Sequence, residues 1–133
     1  MTLASPATSF QGISDLGDCV ALTTRFNFAQ HLLCINAPRP DKTAFISDEG
    51  ELSYGELAHL TRCFAGGLAQ LGVQPEARVL LFVQDTLDWP VAFLACLYAG
   101  VVAVPVNTLM TADDCAYTLQ HSGAQAVVCS ANL

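Results

Sequence analysis

The sequence predicts an α/β fold: a partial parallel sheet with crossover helices, preceded by a β-hairpin near the N-terminus. Three observations carry this. Short β-branched, apolar runs at 78–83, 101–106 and 126–129 alternate with helix-length segments, the pattern of parallel strands joined by crossovers. Asp48-Glu49-Gly50 is turn chemistry between two further strand-like runs. Finally, charge leaves the second half of the chain. Every Lys and Arg lies at or before Arg78, and from Val79 to Leu133 only Asp85, Asp88, Asp113 and Asp114 are charged. Elements so poor in charge are normally covered on both faces, which a single layer of this length cannot provide. That half reads as the edge of a larger body.

Taken in order, residues 1–24 show no period and read as an extended or mobile arm. Asn27 suits a helix cap, with Phe26 before it and Gln30 three residues on, and a short helix through Leu32 and Leu33 stops before Pro38 and Pro40. Thr43–Ser47 and Glu51–Ser53 form the hairpin. Ser53 with Glu56 is a capping box, and Leu52 with Leu57 a hydrophobic staple across it. Leu57, Leu60, Phe64, Leu68 and Leu71 recur at helical spacing and predict the packed face of that helix, which Gly72 ends.

Arg78–Val83 is a buried strand. Asp85 is expected to start the next helix, with Asp88 in its first turn; that helix is apolar all round to Ala99, as a buried helix is. Val101–Val106 is the second strand. Thr111 caps a fourth helix, with Asp113 and Asp114 near its positive end, His121 in its last turn and Gly123 after it. Ala126–Cys129 is a third buried strand, and no helix follows to cover its far side.

Composition excludes several functions. Twelve acids against five bases give a net charge of −7, which argues against nucleic acid. The N-terminus lacks the cationic start and apolar stretch of a signal peptide. Trp89–Val106 is uncharged and about long enough, at ~1.5 Å per residue, to cross a bilayer. However, Gly100 splits it into a helix-like and a Val-rich half, and no Lys or Arg flanks it. No membrane partner is therefore expected. The six cysteines (19, 34, 63, 96, 115, 129) form no Cys-x-x-Cys pair and have no His at ligand spacing from another His. Cys34, Cys63, Cys96 and Cys129 lie in apolar runs and read as reduced core thiols of a cytoplasmic protein.

Few residues suggest chemistry. Asp85 and Asp88 follow a strand at the edge where open α/β sheets bind ligands, and a pair of acids there could move protons or hold a metal; helix capping explains them better. His31, His59 and His121 fall within helices, without a nucleophile elbow. Gly66-Gly67 lies inside a helix rather than on a strand-to-helix turn, and Lys42, the only lysine, sits in a loop. No catalytic, cofactor-binding or metal-binding residue is assigned.

Leu52-Ser53-Tyr54-Gly55-Glu56-Leu57 is similar to the first core motif of the adenylate-forming acyl-CoA synthetases, and Leu97 through Asn107 resembles their second. The stretches Asp85–Leu94 and Asn107–Tyr117 resemble the benzoate–CoA ligase branch, and the likeness runs over about residues 25–131. It implies that the fold is the first subdomain of an adenylate-forming enzyme, with residues 25–133 the N-terminal part of its large AMP-binding domain. The implied parent is a two-step ligase that joins a benzoate-like acid to coenzyme A with ATP and magnesium. The family's phosphate-gripping loop, AMP-holding motifs and catalytic lysine have no matching position here. No cofactor is therefore expected on this piece, and activity alone is not expected. The expected partner is the remainder of the parent enzyme. The competing expectation is a stand-alone module that works through protein–protein association, including self-association by its exposed sheet layer.

Overall fold

The computed structural model describes residues 26–133. The expectations for residues 1–24 and for Cys19 lie outside them. In chain order the elements are α1 (Phe28–Asn36), β1 (Thr43–Ser47), β2 (Gly50–Ser53), α2 (Tyr54–Gln70), β3 (Arg78–Phe82), α3 (Asp88–Ala99), β4 (Val102–Pro105), α4 (Ala112–Ser122) and β5 (Ala126–Cys129). The α/β class is as the sequence predicts. β1 and β2 pair antiparallel, from Thr43 opposite Ser53 to Ser47 opposite Gly50, with an irregularity between Thr43 and Phe45. The parallel sheet has the order β4-β3-β5. Val79–Leu81 face Ala103–Pro105 on one side, and Val79–Phe82 face Ala126–Cys129 on the other.

Local chemistry fixes the helix starts. The Asn27 side chain accepts from the Gln30 N–H at 2.9 Å, while its amide donates to the Leu97 and Tyr98 carbonyls at 2.8 and 3.2 Å. One residue thus caps α1 and ties it to the end of α3. At α2 the capping box is complete: the Glu56 N–H donates to Ser53 Oγ at 3.3 Å, and the Ser53 N–H to Glu56 Oε2 at 2.9 Å. These bonds to Ser53 hold the Glu56 carboxyl below its ordinary pKa. The cap is therefore complete above the usual carboxylate range and weakens as pH falls through the lowered value. Ser53→Ala should cost about 1 kcal/mol in a thermal or urea melt, and an unchanged melt would mean that α2 starts elsewhere. Gly55 lies where the chain crosses itself: its N–H donates to the Pro40 carbonyl at 2.8 Å, and a Cβ there would stand 3.2 Å from that oxygen.

Two clusters build the core. Val79 and Leu81 on one face of β3, and Val83 just after it, pack with Leu68 and Phe64 of α2, Ala92 and Cys96 of α3, and Val101. Ala29 and Leu33 of α1 meet Leu52, Leu57, Val91 and Leu94 in the second. The staple residues Leu52 and Leu57 both belong to that second cluster. Asn36 is buried yet satisfied, donating to the Leu32 carbonyl at 2.8 Å and accepting from Arg39 Nε at 2.9 Å. Thr61, fully buried on α2, has an Oγ1 with no hydrogen-bond partner among the described residues. Thr61→Val keeps the shape and removes that orphan hydroxyl, so it should stabilise the chain by about 1 kcal/mol in the same melts; destabilisation would reveal an undetected partner.

The structure corrects four expectations. The buried stripe of α2 is Leu57, Thr61, Ala65 and Leu68, while Leu60 is 41% and Leu71 79% exposed. Asp85 does not start α3. The helix begins at Asp88 after Leu87, which makes no side-chain cap, and the preceding loop turns on its own backbone, Thr86 N–H to Gln84 O at 2.8 Å. Of the cysteines read as core thiols only Cys96 is buried; Cys34, Cys63 and Cys129 are exposed. Burial pushes the Cys96 thiol up to about 11, leaving it a protonated packing group. The third strand, β5, alternates half-buried and exposed residues.

The run Trp89–Val106 divides as the sequence suggested. α3 buries six of its residues, Gly100 turns the chain at φ 72°, and β4 follows. No described helix is long and apolar enough to cross a membrane. Thr111 caps α4, accepting from the Asp114 N–H at 3.2 Å and donating to Asp114 Oδ2 at 2.7 Å. α4 nevertheless buries none of its residues.

Candidate functional site at the carboxyl edge of the sheet

β3 is central. The chain leaves it for β4 on one side and, after α4, returns to β5 on the other. The gap between the carboxyl ends of β3 and β5 is thus a topological switch point, the place where open α/β sheets take ligands. Polar groups bridge it. The Gln84 N–H donates to Ser130 Oγ at 2.9 Å, Asn132 Nδ2 donates to Gln84 Oε1 at 2.8 Å, and the Ser130 N–H reaches the Phe82 carbonyl at 3.1 Å. Beside them is a cleft of about 240 Å³ lined by Phe64, Val83, Asp88, Val91, Ala92, Val128, Cys129 and Ser130.

Asp85 and Asp88, three residues apart in sequence, line different clefts. Asp88 faces this one. Asp85 lines a second, of about 440 Å³, where the β3–α3 loop meets Phe45–Asp48 of the hairpin and the stacked Trp89. The structure does not join them as a catalytic pair in one cleft. No Lys or Arg lines either cleft; Arg78 stands at the opposite end of β3 and donates to the Ser122 carbonyl at 3.2 Å. A phosphate placed here would find a carboxylate and no cation to offset its charge. The histidines are scattered: His31 lies beside Phe26, His121 stacks on Tyr117, and His59 lies 3.7 Å from the exposed Cys63 Sγ. Among the described residues no group of three or more His, Cys, Asp or Glu side chains could hold a metal ion. The edge can position a polar neighbour by hydrogen bonds, but it offers neither an activated nucleophile nor a base held against one.

The family profile described as AMP-binding enzyme matches residues 35–133. The chain belongs to the AMP-binding enzyme family. Within that family the likeness runs to aryl–CoA ligases. The chain is 38% identical over 123 residues to a benzoate–CoA ligase of Thauera aromatica, a match covering 90% of this chain and 23% of that protein. It is 41% identical over 92 residues to a 4-hydroxybenzoate–CoA/benzoate–CoA ligase of Rhodopseudomonas palustris, covering 69% of this chain and 17% of that one. Among solved structures, a benzoate CoA ligase of Burkholderia xenovorans LB400 superposes with a TM-score of 0.79 at 52% identity, over 81% of this chain and 22% of that one. The chain therefore spans less than a quarter of the length of these relatives.

The sheet has a second notable surface. Phe64, Gly67 and Leu68 of α2, Leu71 just past its end, and Ala126–Val128 of β5 line an apolar groove of about 290 Å³. Its rims, Leu71 and Val127, are 79% and 47% exposed. Sequence patterning assigned Leu71 to the packed face and missed this groove. The one signal available was the loss of charge after Arg78, which bears only on the β5 side of the groove.

Proposed function

We propose that this chain is the N-terminal part of an AMP-forming aryl–CoA ligase whose acid is benzoate or a close relative. The observation that carries the reading is the 52% identity to the Burkholderia benzoate CoA ligase over 81% of the chain. In the proposed reaction a carboxylate oxygen of the acid attacks the α-phosphorus of ATP and pyrophosphate leaves. The thiol sulfur of coenzyme A then attacks the acyl carbon of the mixed anhydride, gives up its proton, and expels AMP. Magnesium belongs with the nucleotide. The side chains at the carboxyl edge do not fit a triphosphate site, having Asp88 in one cleft, Asp48 and Asp85 in the other, and no Lys or Arg in either; and no group of three or more His, Cys, Asp or Glu among the described residues could hold magnesium. No step is therefore routed through this chain's residues, and the chain by itself is inactive.

Its contribution is scaffold. Residues 25–133 supply the first α/β layer of the large domain, and the rest of the enzyme covers the groove between α2 and β5. The protein works in the cytoplasm, where ATP and coenzyme A are available.

The test compares two proteins. The 133-residue chain should give no benzoate-dependent ATP–pyrophosphate exchange, whereas the product of the complete reading frame should exchange and form benzoyl-CoA. Exchange by the short chain would overturn its proposed inactivity. A complete product that activates fatty acids and ignores benzoate would overturn the substrate. A stop codon directly after Leu133 would favour the second reading, an association module, for which the exposed Leu71–Val127 groove is the supporting observation. That module should self-associate or capture a partner in sedimentation, and a strictly monomeric chain would count against it.

A further inference from the structure

We propose that His59 and Cys63 form a binding site for a thiophilic divalent cation of the zinc class on the outer face of α2. The two residues stand one turn apart, so the helix itself keeps them on one face. Cys63 Sγ lies 3.7 Å from His59 Nε2 and 4.0 Å from Nδ1. A tetrahedral zinc, with sulfur at ~2.3 Å and imidazole nitrogen at ~2.0–2.1 Å, holds those two atoms ~3.6 Å apart. The helix therefore already sets the bite, and only the exposed ring has to turn its nitrogen toward the metal. The site lies apart from the clefts and the groove described above, and it does not depend on the ligase reading.

Three further observations favour this pair. The first is that, among the described residues, only His59 meets a thiol: His31 lies beside Phe26, and His121 stacks on Tyr117. The exposed Cys129 instead turns its thiol to the Ser130 carbonyl at 3.3 Å. The second is the local charge. Glu56 and His59 line one cleft of about 400 Å³ with Leu52, Gly55 and Leu60. Glu56 Oε2 is held by Ser53, so the carboxylate stands by as negative charge rather than as a ligand. Arg62, next to Cys63 in sequence, lines a different groove with Ala65, Gly66 and Ala69. The field at the pair thus favours a cation, in a chain whose net charge is −7. The third is softness. Thiolate with imidazole suits zinc and its neighbours, whereas magnesium and calcium want oxygen. No third side chain completes the set among the described residues, so water fills the remaining positions and the site stays open. Binding replaces the thiol proton, which passes to the buffer.

Titrating the reduced full chain with Co²⁺, a spectroscopic stand-in for zinc, tests this. A sulfur-to-cobalt charge-transfer band should grow to one metal per chain; Zn²⁺ should displace it, and a large excess of Mg²⁺ should not. Cys63→Ser should abolish the band. His59→Ala should weaken binding by at least the roughly tenfold that losing a ligand's supporting hydrogen bond costs. Cys19→Ser, Cys34→Ser and Cys129→Ser should leave the band in place. Both ligands are exposed, so metal-free melts of the two site variants should match the unaltered chain, and only the unaltered chain should melt higher with Zn²⁺. Absence of the band in the unaltered chain would overturn the proposal. So would a band that survives Cys63→Ser, unchanged affinity in His59→Ala, or displacement by Mg²⁺. Saturation at one metal per two chains, with a dimer in sedimentation, would also overturn it by replacing the open site with one closed between copies.

Discussion

Leu57→Ala should destabilise the chain by about 2–5 kcal/mol, a larger loss than capping or turn substitutions produce. Leu57 is fully buried at the fourth helical position of α2. It is where four elements meet: Ala29 and Leu33 of α1, Leu52 of β2, and Val91 and Leu94 of α3 share its cluster. Removing its branched end loses the transfer free energy of the buried carbons and leaves a void. Relaxation is restricted, because the capping box holds the start of α2 while the Gly55–Pro40 hydrogen bond pins the loop beside it. Urea titration should show a lower midpoint with an unchanged slope. A loss below about 1 kcal/mol would mean that the α1–hairpin layer is only loosely attached to the sheet.

Gly100→Val should follow, at about 1–3 kcal/mol, for a different reason. A Cβ at Gly100 meets no atom within 4 Å, so packing is not the obstacle. The backbone is. Gly100 sits at φ 72°, ψ 26°, closing α3 with its N–H on the Cys96 and Leu97 carbonyls, and its own carbonyl accepts from the Glu76 N–H at 2.9 Å. A β-branched residue resists that left-handed conformation. Gly100→Ala should cost less than Gly100→Val, and Gly100→Asn least, since Asn tolerates this region best of the three. Equal melts for all three would contradict the left-handed turn that converts the helix into β4.

These two sites also mark what was legible in the sequence. Ser53, Glu56, Leu52 and Leu57 announce the start of α2 through contacts within five residues, and the structure keeps every one. Gly72, Gly100 and Gly123 mark helix ends because a positive φ is a local demand. Most of the failures concern which side of an element is covered, which depends on neighbours distant in sequence. Leu60 and Leu71 have the right spacing for a core, but the helix buries Thr61 and Ala65 instead. Cys34, Cys63 and Cys129 sit in apolar surroundings along the chain and in open ones in space. Asp85 has cap chemistry, but the loop takes three more residues to turn before the helix begins. At the candidate site, the acids could be named from the sequence. Their separation into two clefts, and the bridge of Gln84, Ser130 and Asn132, arise from β3 lying beside β5 across 46 to 48 residues of intervening chain.

That strand order also bears on how the chain assembles. β3, α3 and β4 follow one another directly, and their contacts close short loops. β5 must cross to the far side of β3 after α4, an element that buries nothing and so contributes little to holding it there. Loop closure grows only logarithmically more costly with length, so distance alone does not keep β5 out. What it lacks is a covering layer that would reward its arrival. β5 should therefore join last during folding and leave first during unfolding, and a body covering the α2–β5 groove, as proposed above, would act as the latch on the whole sheet.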